Sequence, residues 1–181
     1  MSETETLLTV GELAARLTEP GSSPDPIATQ LRNYAQRGLI HSFGMQKGSG
    51  RTAHRLYRED QWVVAKVLGI LTEFGFADLS VLHATSVALN AWNFQDSPSA
   101  RSPAQWVIDD FKKGVDFWTF DLALFRHVTK GGRDVRARIH NVKDGRGTVY
   151  GLGDEYIPRA VTMIDLTPHL NRLFGDKSGL H

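Results

Sequence analysis

One long segment of this sequence, from Pro26 to Arg58, contains no Asp or Glu but carries several cationic side chains. Its basic residues are Arg32, Arg37, Lys47, Arg51, Arg55 and Arg58, with His41 and His54 among them. Cations without neighbouring carboxylates attract phosphate even in a chain whose formal net charge is only +1. The chemistry that this segment offers is therefore the binding of a polyanion such as nucleic acid.

Polar side chains within the same segment are suited to base edges. Thr29, Gln30 and Asn33 carry hydroxyl or amide groups, and a Gln or Asn amide can bond adenine through two hydrogen bonds. Exposure to solvent without any contact is the alternative for each of them. Tyr34 is in helical register with Leu31, so its ring is expected in the core, with its hydroxyl either at a phosphate or engaged only in packing.

Two helices must position these side chains. Thr9 and Glu12 have the spacing of a capping box, which predicts a helix over 10–17. Asp25 as the N-cap and Gly38 just after the last turn delimit a second helix. The second helix exposes a polar face that includes the candidate base contacts, with Arg32 as either a phosphate contact or an ordinary solvated cation.

The chain after the second helix predicts a basic hairpin, or wing. Extended stretches over 39–43 and 53–57 flank a glycine-rich tip at 47–51. Guanidinium forks suit phosphate oxygens, so Arg51 and Arg55 are predicted phosphate contacts. The alternative for both arginines is that the hairpin is only solvated. Lys47 and His54 are also candidate contacts of the hairpin. The alternatives for them are a solvated side chain for Lys47 and a ring that packs or bonds locally for His54.

The remainder predicts two apolar helices and then a second, mixed region. The helices span about 59–74 and 78–92, and a Pro- and Ser-rich stretch follows them. The predicted organisation is a head at 7–94, a linker at 95–102 and an α+β domain with an antiparallel sheet at 103–181. Within that domain we expect helices over 103–113 and 167–174 and strands over 117–128, 135–141 and 159–166.

A second basic run lies in the last third of the sequence. Period-2 alternation favours a solvated sheet face over a binding surface for these residues. They are Arg126, Lys130, Arg133, Arg136, Arg138, Lys143 and Arg146, with Asp134 and Asp144 between them.

Several motifs of the first half carry a family resemblance. In order, they are Thr9-Val10-Gly11-Glu12-Leu13-Ala14, Leu31-Arg32-Asn33-Tyr34 followed by Arg37-Gly38-Leu39-Ile40, and His54-Arg55-Leu56-Tyr57. Residues 7–92 thus resemble the DNA-binding domain of the MerR family of bacterial transcription regulators. The resemblance implies a winged helix-turn-helix with one helix in the major groove and the hairpin beside the phosphates. The expected DNA contacts are Thr29, Gln30, Arg32, Asn33, Tyr34, Arg37, Lys47, Arg51, His54, Arg55 and Tyr57.

Other classes of site find little support in the sequence. The chain contains no Cys and lacks the long C-terminal coiled coil of metal-sensing MerR members, so we expect no metal response, no bound metal and no cofactor. The acidic pairs Asp109-Asp110 and Asp154-Glu155 have no accompanying nucleophile or ligand spacing. We therefore expect that the protein is not an enzyme.

The expected function is a cytoplasmic, sequence-specific regulator of transcription that binds double-stranded DNA as a homodimer at a palindromic operator. RNA polymerase or another protein is a further candidate partner, and no membrane association is expected. Two alternatives stay open. One is a phage or mobile-element protein for DNA packaging or excision, and the other is an adaptor or antitoxin-like protein-interaction module.

Overall fold

The computed structural model describes residues 6–47, 53–91 and 101–175. By proximity the chain divides into an N-terminal unit, Met1–Lys66, and a C-terminal unit, Val67–His181. The first elements are β1 (Leu7–Thr9), α1 (Val10–Leu17), α2 (Asp25–Gln36), β2 (Gly44–Lys47), β3 (Ala53–Arg58) and α3 (Asp60–Glu73), whose last part lies in the C-terminal unit. There follow α4 (Leu79–Asn90), α5 (Pro103–Lys112), β4 (Trp118–His127), β5 (Arg133–Asn141), β6 (Tyr156–Asp165) and α6 (Thr167–Phe174).

Helix α1 begins with the capping box that the sequence predicts. The Glu12 amide donates to the Thr9 hydroxyl at 3.3 Å, and the Thr9 amide donates to the Glu12 carboxylate at 2.7 Å. These bonds satisfy two amides that the first helical turn leaves without intrahelical partners. The predicted helix over 10–17 is confirmed.

Replacing Thr9 with Ala should destabilise the protein by about 1 kcal/mol because the first turn of α1 loses its cap. Urea denaturation measures this difference, with Thr29→Ala on the exposed face of α2 as the control. The amide and hydroxyl of Thr9 lower the pKa of Glu12, so the contribution of the carboxylate is present above its unfolded pKa and is lost as pH falls through the folded value. An unchanged stability of the Thr9→Ala variant at neutral pH would contradict the prediction.

Helix α2 starts one residue earlier than the sequence predicts. Asp25 was expected as the N-cap, but it is the first helical residue, and Pro24 occupies the cap position without a side-chain bond. The Asp25 amide instead donates to the Ser23 hydroxyl at 3.3 Å. At the other end Gly38 has a φ of 68°, and the Leu39 amide donates to the Tyr34 carbonyl at 2.9 Å. The predicted glycine stop is confirmed because this left-handed conformation favours Gly.

A three-stranded antiparallel sheet in the order β1-β3-β2 completes the N-terminal unit. The sequence predicted the pairing of the hairpin but not β1, whose Leu8 lies opposite Tyr57. The predicted first strand over 39–43 is also wrong: Leu39 and Ile40 turn into the core, and β2 begins only at Gly44. Residues 48–52, which include most of the predicted tip, lie outside the described residues.

The C-terminal unit contains a second antiparallel sheet, in the order β5-β4-β6. Phe120 of β4 pairs with Ile139 of β5 on one side and with Ile164 of β6 on the other, and all three are buried. Trp106 of α5 meets Trp118 of β4 edge to face, with ring centroids 5.3 Å apart. The central strand is therefore the core of this unit, and the expected α+β class with antiparallel sheets is confirmed.

A buried carboxylate ties β4 to β5. Asp121 is 1% exposed, and its Oδ2 accepts from Nε of Arg138 at 2.8 Å and lies 2.9 Å from Nε2 of His140. The hydroxyl of Tyr150 lies 3.4 Å from the same oxygen, while Oδ1 has no hydrogen-bond partner among the described residues. Burial, and secondarily the Asp121 charge, raise the pKa of Tyr150.

The elements of the second half match the predicted ones to within a few residues, apart from an earlier start of β6. The predicted linker at 95–102 falls mostly on residues 92–100, which are not described, so the domain boundaries stay a prediction. No helix within the described ranges is long and apolar enough to cross a bilayer.

Candidate nucleic-acid interface

A surface hollow of about 530 Å³ lies within the N-terminal unit, where α1, α2 and β3 meet. We call it the basic hollow. It is lined by Thr9, Val10 and Gly11 at the start of α1, by Arg32, Ala35 and Gln36 of α2, and by His54, Arg55 and Tyr57 of β3. Four of the predicted DNA contacts, from two separate segments of the sequence, thus share one concave surface.

The basic side chains of the basic hollow are accessible to a ligand. Arg32, His54 and Arg55 are exposed, and none of them has an ion pair with a carboxylate among the described residues. The closest acidic residue in sequence to the α1 part of the lining, Glu12, is engaged in the capping box. The Glu12 carboxylate bonds the Thr9 amide at this helix N-terminus, so it offsets the partial positive charge there.

Three arginines of the second basic run are paired with carboxylates. Arg136 bonds Asp134 at 2.8 Å, Arg138 bonds the buried Asp121 at 2.8 Å, and Arg146 bonds Asp144 at 2.6 Å. A carboxylate neutralises each of these cations, which supports the interpretation of that run as a sheet face. These three arginines thus differ from Arg32 and Arg55 of the basic hollow, whereas Arg126 and Arg133 of the same run have no ion pair among the described residues.

The predicted base contacts on α2 differ in whether their side chains already form hydrogen bonds within the protein. The hydroxyl of Thr29 donates to the Asp25 carbonyl at 3.0 Å, and Nε2 of Gln30 donates to the Tyr34 hydroxyl at 2.7 Å. Asn33 is exposed and has no such bond among the described residues. Asn33 is therefore the most accessible of the three amide and hydroxyl candidates.

Two predicted contacts are aromatic residues with buried rings. Tyr34 is 5% exposed and Tyr57 is 1% exposed. Tyr34 presents at most its hydroxyl, which Gln30 already contacts, whereas Tyr57 forms part of the lining of the basic hollow. Their main structural role is to hold α2 and β3 in place around the unpaired cations.

The remaining predicted contacts lie elsewhere. Arg37 is exposed at the C-cap of α2 and does not line the basic hollow. Lys47 ends β2, but its side chain is outside the described part, and Arg51 is wholly outside it. Their roles stay predictions.

Sequence reasoning missed part of the lining. Gln36 is not among the predicted contacts, although it follows Arg32 by four residues and therefore lies on the same helical face. The contribution of Val10 and Gly11 depends on how α1 sits beside β3, which no local pattern indicates. The i, i+4 spacing is the signal that could have identified Gln36.

The chemistry that this surface can perform is the binding of phosphate, with polar side chains of α2 nearby. Among the described residues, no group of three His, Cys, Asp or Glu side chains could hold a metal ion. His140 hydrogen-bonds the buried Asp121. Asp110 pairs with Arg146 at 3.1 Å, so it is part of an ion pair.

Compared with known proteins, the chain matches no family model, no curated protein and no solved structure.

Proposed function

We propose that this protein is a sequence-specific regulator of transcription that binds double-stranded DNA as a dimer, through a MerR-like winged helix-turn-helix in its first half. The observation that carries the proposal is the position of Arg32, His54 and Arg55 on one concave surface without carboxylate partners. Unpaired guanidinium groups on two different elements can grip the phosphates of a duplex backbone.

The order of the elements supports duplex DNA over other polyanions. Helix α2 exposes polar residues that include Asn33, and the β2–β3 hairpin follows it directly. A helix of this size fits the major groove, while an adjacent hairpin reaches the neighbouring backbone. In the proposed complex, α2 reads base edges and Arg32 and Arg55 fix its register.

Two copies of the protein then read the two halves of a palindrome. Each phosphate that the protein neutralises releases condensed counterions, so binding weakens by ~0.9 log unit per log unit of salt for each contact. An operator at a promoter supports regulation, whereas a site at the end of a phage genome would favour the packaging alternative.

The test starts with selection of duplexes from a random-sequence library by the wild-type protein. The affinity for a selected duplex is then measured at several salt concentrations for the wild type and for the double variant Arg32→Ala, Arg55→Ala. Loss of two phosphate contacts, each contributing ~1.4 kcal/mol, should weaken binding about 100-fold. The salt slope should fall by about 2.

A matched control changes net charge equally. Arg126 and Arg133 are exposed cross-strand neighbours in the C-terminal unit without ion pairs among the described residues. The double variant Arg126→Ala, Arg133→Ala should keep near wild-type affinity and salt slope. Equal losses in both double variants, or failure of the wild type to enrich any duplex, would refute the proposed surface.

A further inference from the structure

One edge of the C-terminal sheet is open. Strand β6 pairs with β4, and no other strand within the described residues pairs with its far side. The opposite edge is different, because the chain folds back beside β5 and forms a bridge between His140 and Gly147. An exposed edge presents unpaired backbone donors and acceptors to another strand.

The direction of the free backbone groups follows from the pairing with β4. The Leu166 amide donates to the Trp118 carbonyl at 2.9 Å, and backbone groups alternate direction along an antiparallel strand. Residues 160, 162 and 164 therefore bond β4. Val161, Met163 and Asp165 direct their amide and carbonyl groups outward.

The usable part of this edge is short and bounded at both ends. Pro158 has no amide hydrogen, and the register shift opposite Leu124 and Phe125 leaves Arg159 without a partner in β4. Helix α6 begins at Thr167, directly after Leu166. The window available for pairing is thus 159–165, with Thr162 at its centre.

The side chains along this window are self-complementary. Val161 is 48% exposed and Met163 is 62% exposed, although both are apolar residues in the middle of a strand. Arg159 is near one end and Asp165 near the other, and Arg159 has no ion pair among the described residues. An antiparallel copy of the same strand would place opposite charges and apolar side chains against each other.

We propose that β6 pairs with β6 of a second copy of this chain, antiparallel and with Thr162 at the two-fold axis. In this register Val161 lies opposite Met163 of the second copy, Ala160 opposite Ile164, and Arg159 opposite Asp165. This pairing rests on the proposed function in one respect, because both require two copies of the chain. The pairing adds the surface through which the two copies contact each other.

A second copy fits this edge better than an unrelated peptide. A two-fold axis requires that each residue of the surface meet its own counterpart in reverse order. One register centred on Thr162 meets that requirement, matches the charges at both ends and avoids Pro158. The amide of Val161 in one copy then donates to the carbonyl of Met163 in the other copy, and the amide of that Met163 donates to the carbonyl of Val161.

The register can be tested by crosslinking because the chain contains no Cys. In the proposed dimer, Thr162 faces itself in a non-hydrogen-bonded pair, where Cα atoms lie ~4.5 Å apart, within the range of a disulfide. The full-length Thr162→Cys variant should therefore form a covalent dimer on mild oxidation, visible on a non-reducing gel. The control is Ala160→Cys. In the proposed register residue 160 lies opposite residue 164 of the second copy, so the two introduced sulfurs are too far apart to bond and this variant should stay monomeric on the same gel.

A second pair of variants does not depend on disulfide formation. Sedimentation of the wild type without DNA should show a reversible dimer, and Met163→Lys should weaken it at least about 10-fold through two cations beside an apolar contact. Val142→Lys is the control, since Val142 is 58% exposed outside β6.

Some results would overturn the inference. These are a wild type that stays monomeric up to about 100 µM, equal crosslinking of both Cys variants, or a dimer that Met163→Lys leaves intact. A dimer that crosslinks through position 162 but enriches no duplex would instead refute the proposed DNA binding and leave the β6 contact standing.

Discussion

Replacing Asp121 with Asn should lower the free energy of unfolding by about 3 kcal/mol. The carboxylate is buried and receives Arg138 at 2.8 Å and His140 at 2.9 Å. Asn keeps the shape but removes the charge, which leaves the guanidinium with a weaker acceptor. Because the side chain of Arg138 is 35% exposed, water offsets part of the loss, and we place the effect at the low end of the range for buried pairs.

Urea denaturation followed by tryptophan fluorescence measures this difference. Asp134→Asn is the matched control, because Asp134 also pairs with an arginine of β5, Arg136, but at a more exposed position. Surface pairs contribute little, so this control should lose less than about 1 kcal/mol. Similar losses in the two variants would show that Asp121 contributes no more than a surface carboxylate.

The same Asp121 variant has an independent readout in the titration of Tyr150. Burial is the larger cause of the raised pKa of this phenol, and the Asp121 charge is the second cause. Removing the charge should therefore lower the pKa of Tyr150, because the Arg138 guanidinium, which favours the phenolate, stays in place. A resolved tyrosine resonance followed by NMR between neutral and alkaline pH would detect the change.

Replacing Gly147 with Ala should destabilise the C-terminal unit by about 3 kcal/mol or more. Gly147 has a φ of 149°, which L side chains rarely adopt. An added Cβ would lie 2.2 Å from the Ile139 carbonyl oxygen and 2.5 Å from Cα of His140. Both are backbone atoms of β5, so the strand or the returning chain has to move.

Gly132→Ala is the control for this prediction. No heavy atom outside its neighbourhood lies within 4 Å of a Cβ added at Gly132, and its φ is not positive. The change should alter stability by no more than about 0.5 kcal/mol, or slightly increase it through the unfolded chain. Thermal unfolding of the two variants separates a clash from a general intolerance of glycine replacement. Equal melting temperatures for Gly147→Ala and the wild type would contradict the proposed clash.

Local signals in the sequence were sufficient for several elements. The capping box at Thr9 and the glycine at position 38 fixed one end each of α1 and α2, because both act through bonds within a few residues. Strand β1 was missed because it has only three residues and forms through pairing with β3, far away in the chain. Similarly, the start of β2 depends on the burial of Leu39 and Ile40 against the core.

The same distinction applies to the candidate sites. The absence of acidic residues around Arg32 and Arg55 is visible in the sequence, and their position in one hollow depends on α2 and β3 meeting. The Asp121 cluster could not be predicted, because Arg138 and His140 reach the carboxylate only through the register of β4 and β5. This register depends on the turn between the two strands and on which face of the sheet is buried, and the sequence pattern alone did not specify either one.

The chain segment that returns beside β5 bears on the size of any assembly. The Thr148 amide donates to the Ile139 carbonyl at 2.8 Å, and the Asn141 amide donates to the Arg146 carbonyl at 2.7 Å, so this end of β5 already has a neighbour. The rest of β5 carries charged side chains, which discourage further pairing. If two sheets join through β6, the outer strands of the resulting six-stranded sheet are both β5. Addition of further copies through the sheet edges then stops at two, and the assembly is a closed dimer instead of a fibre.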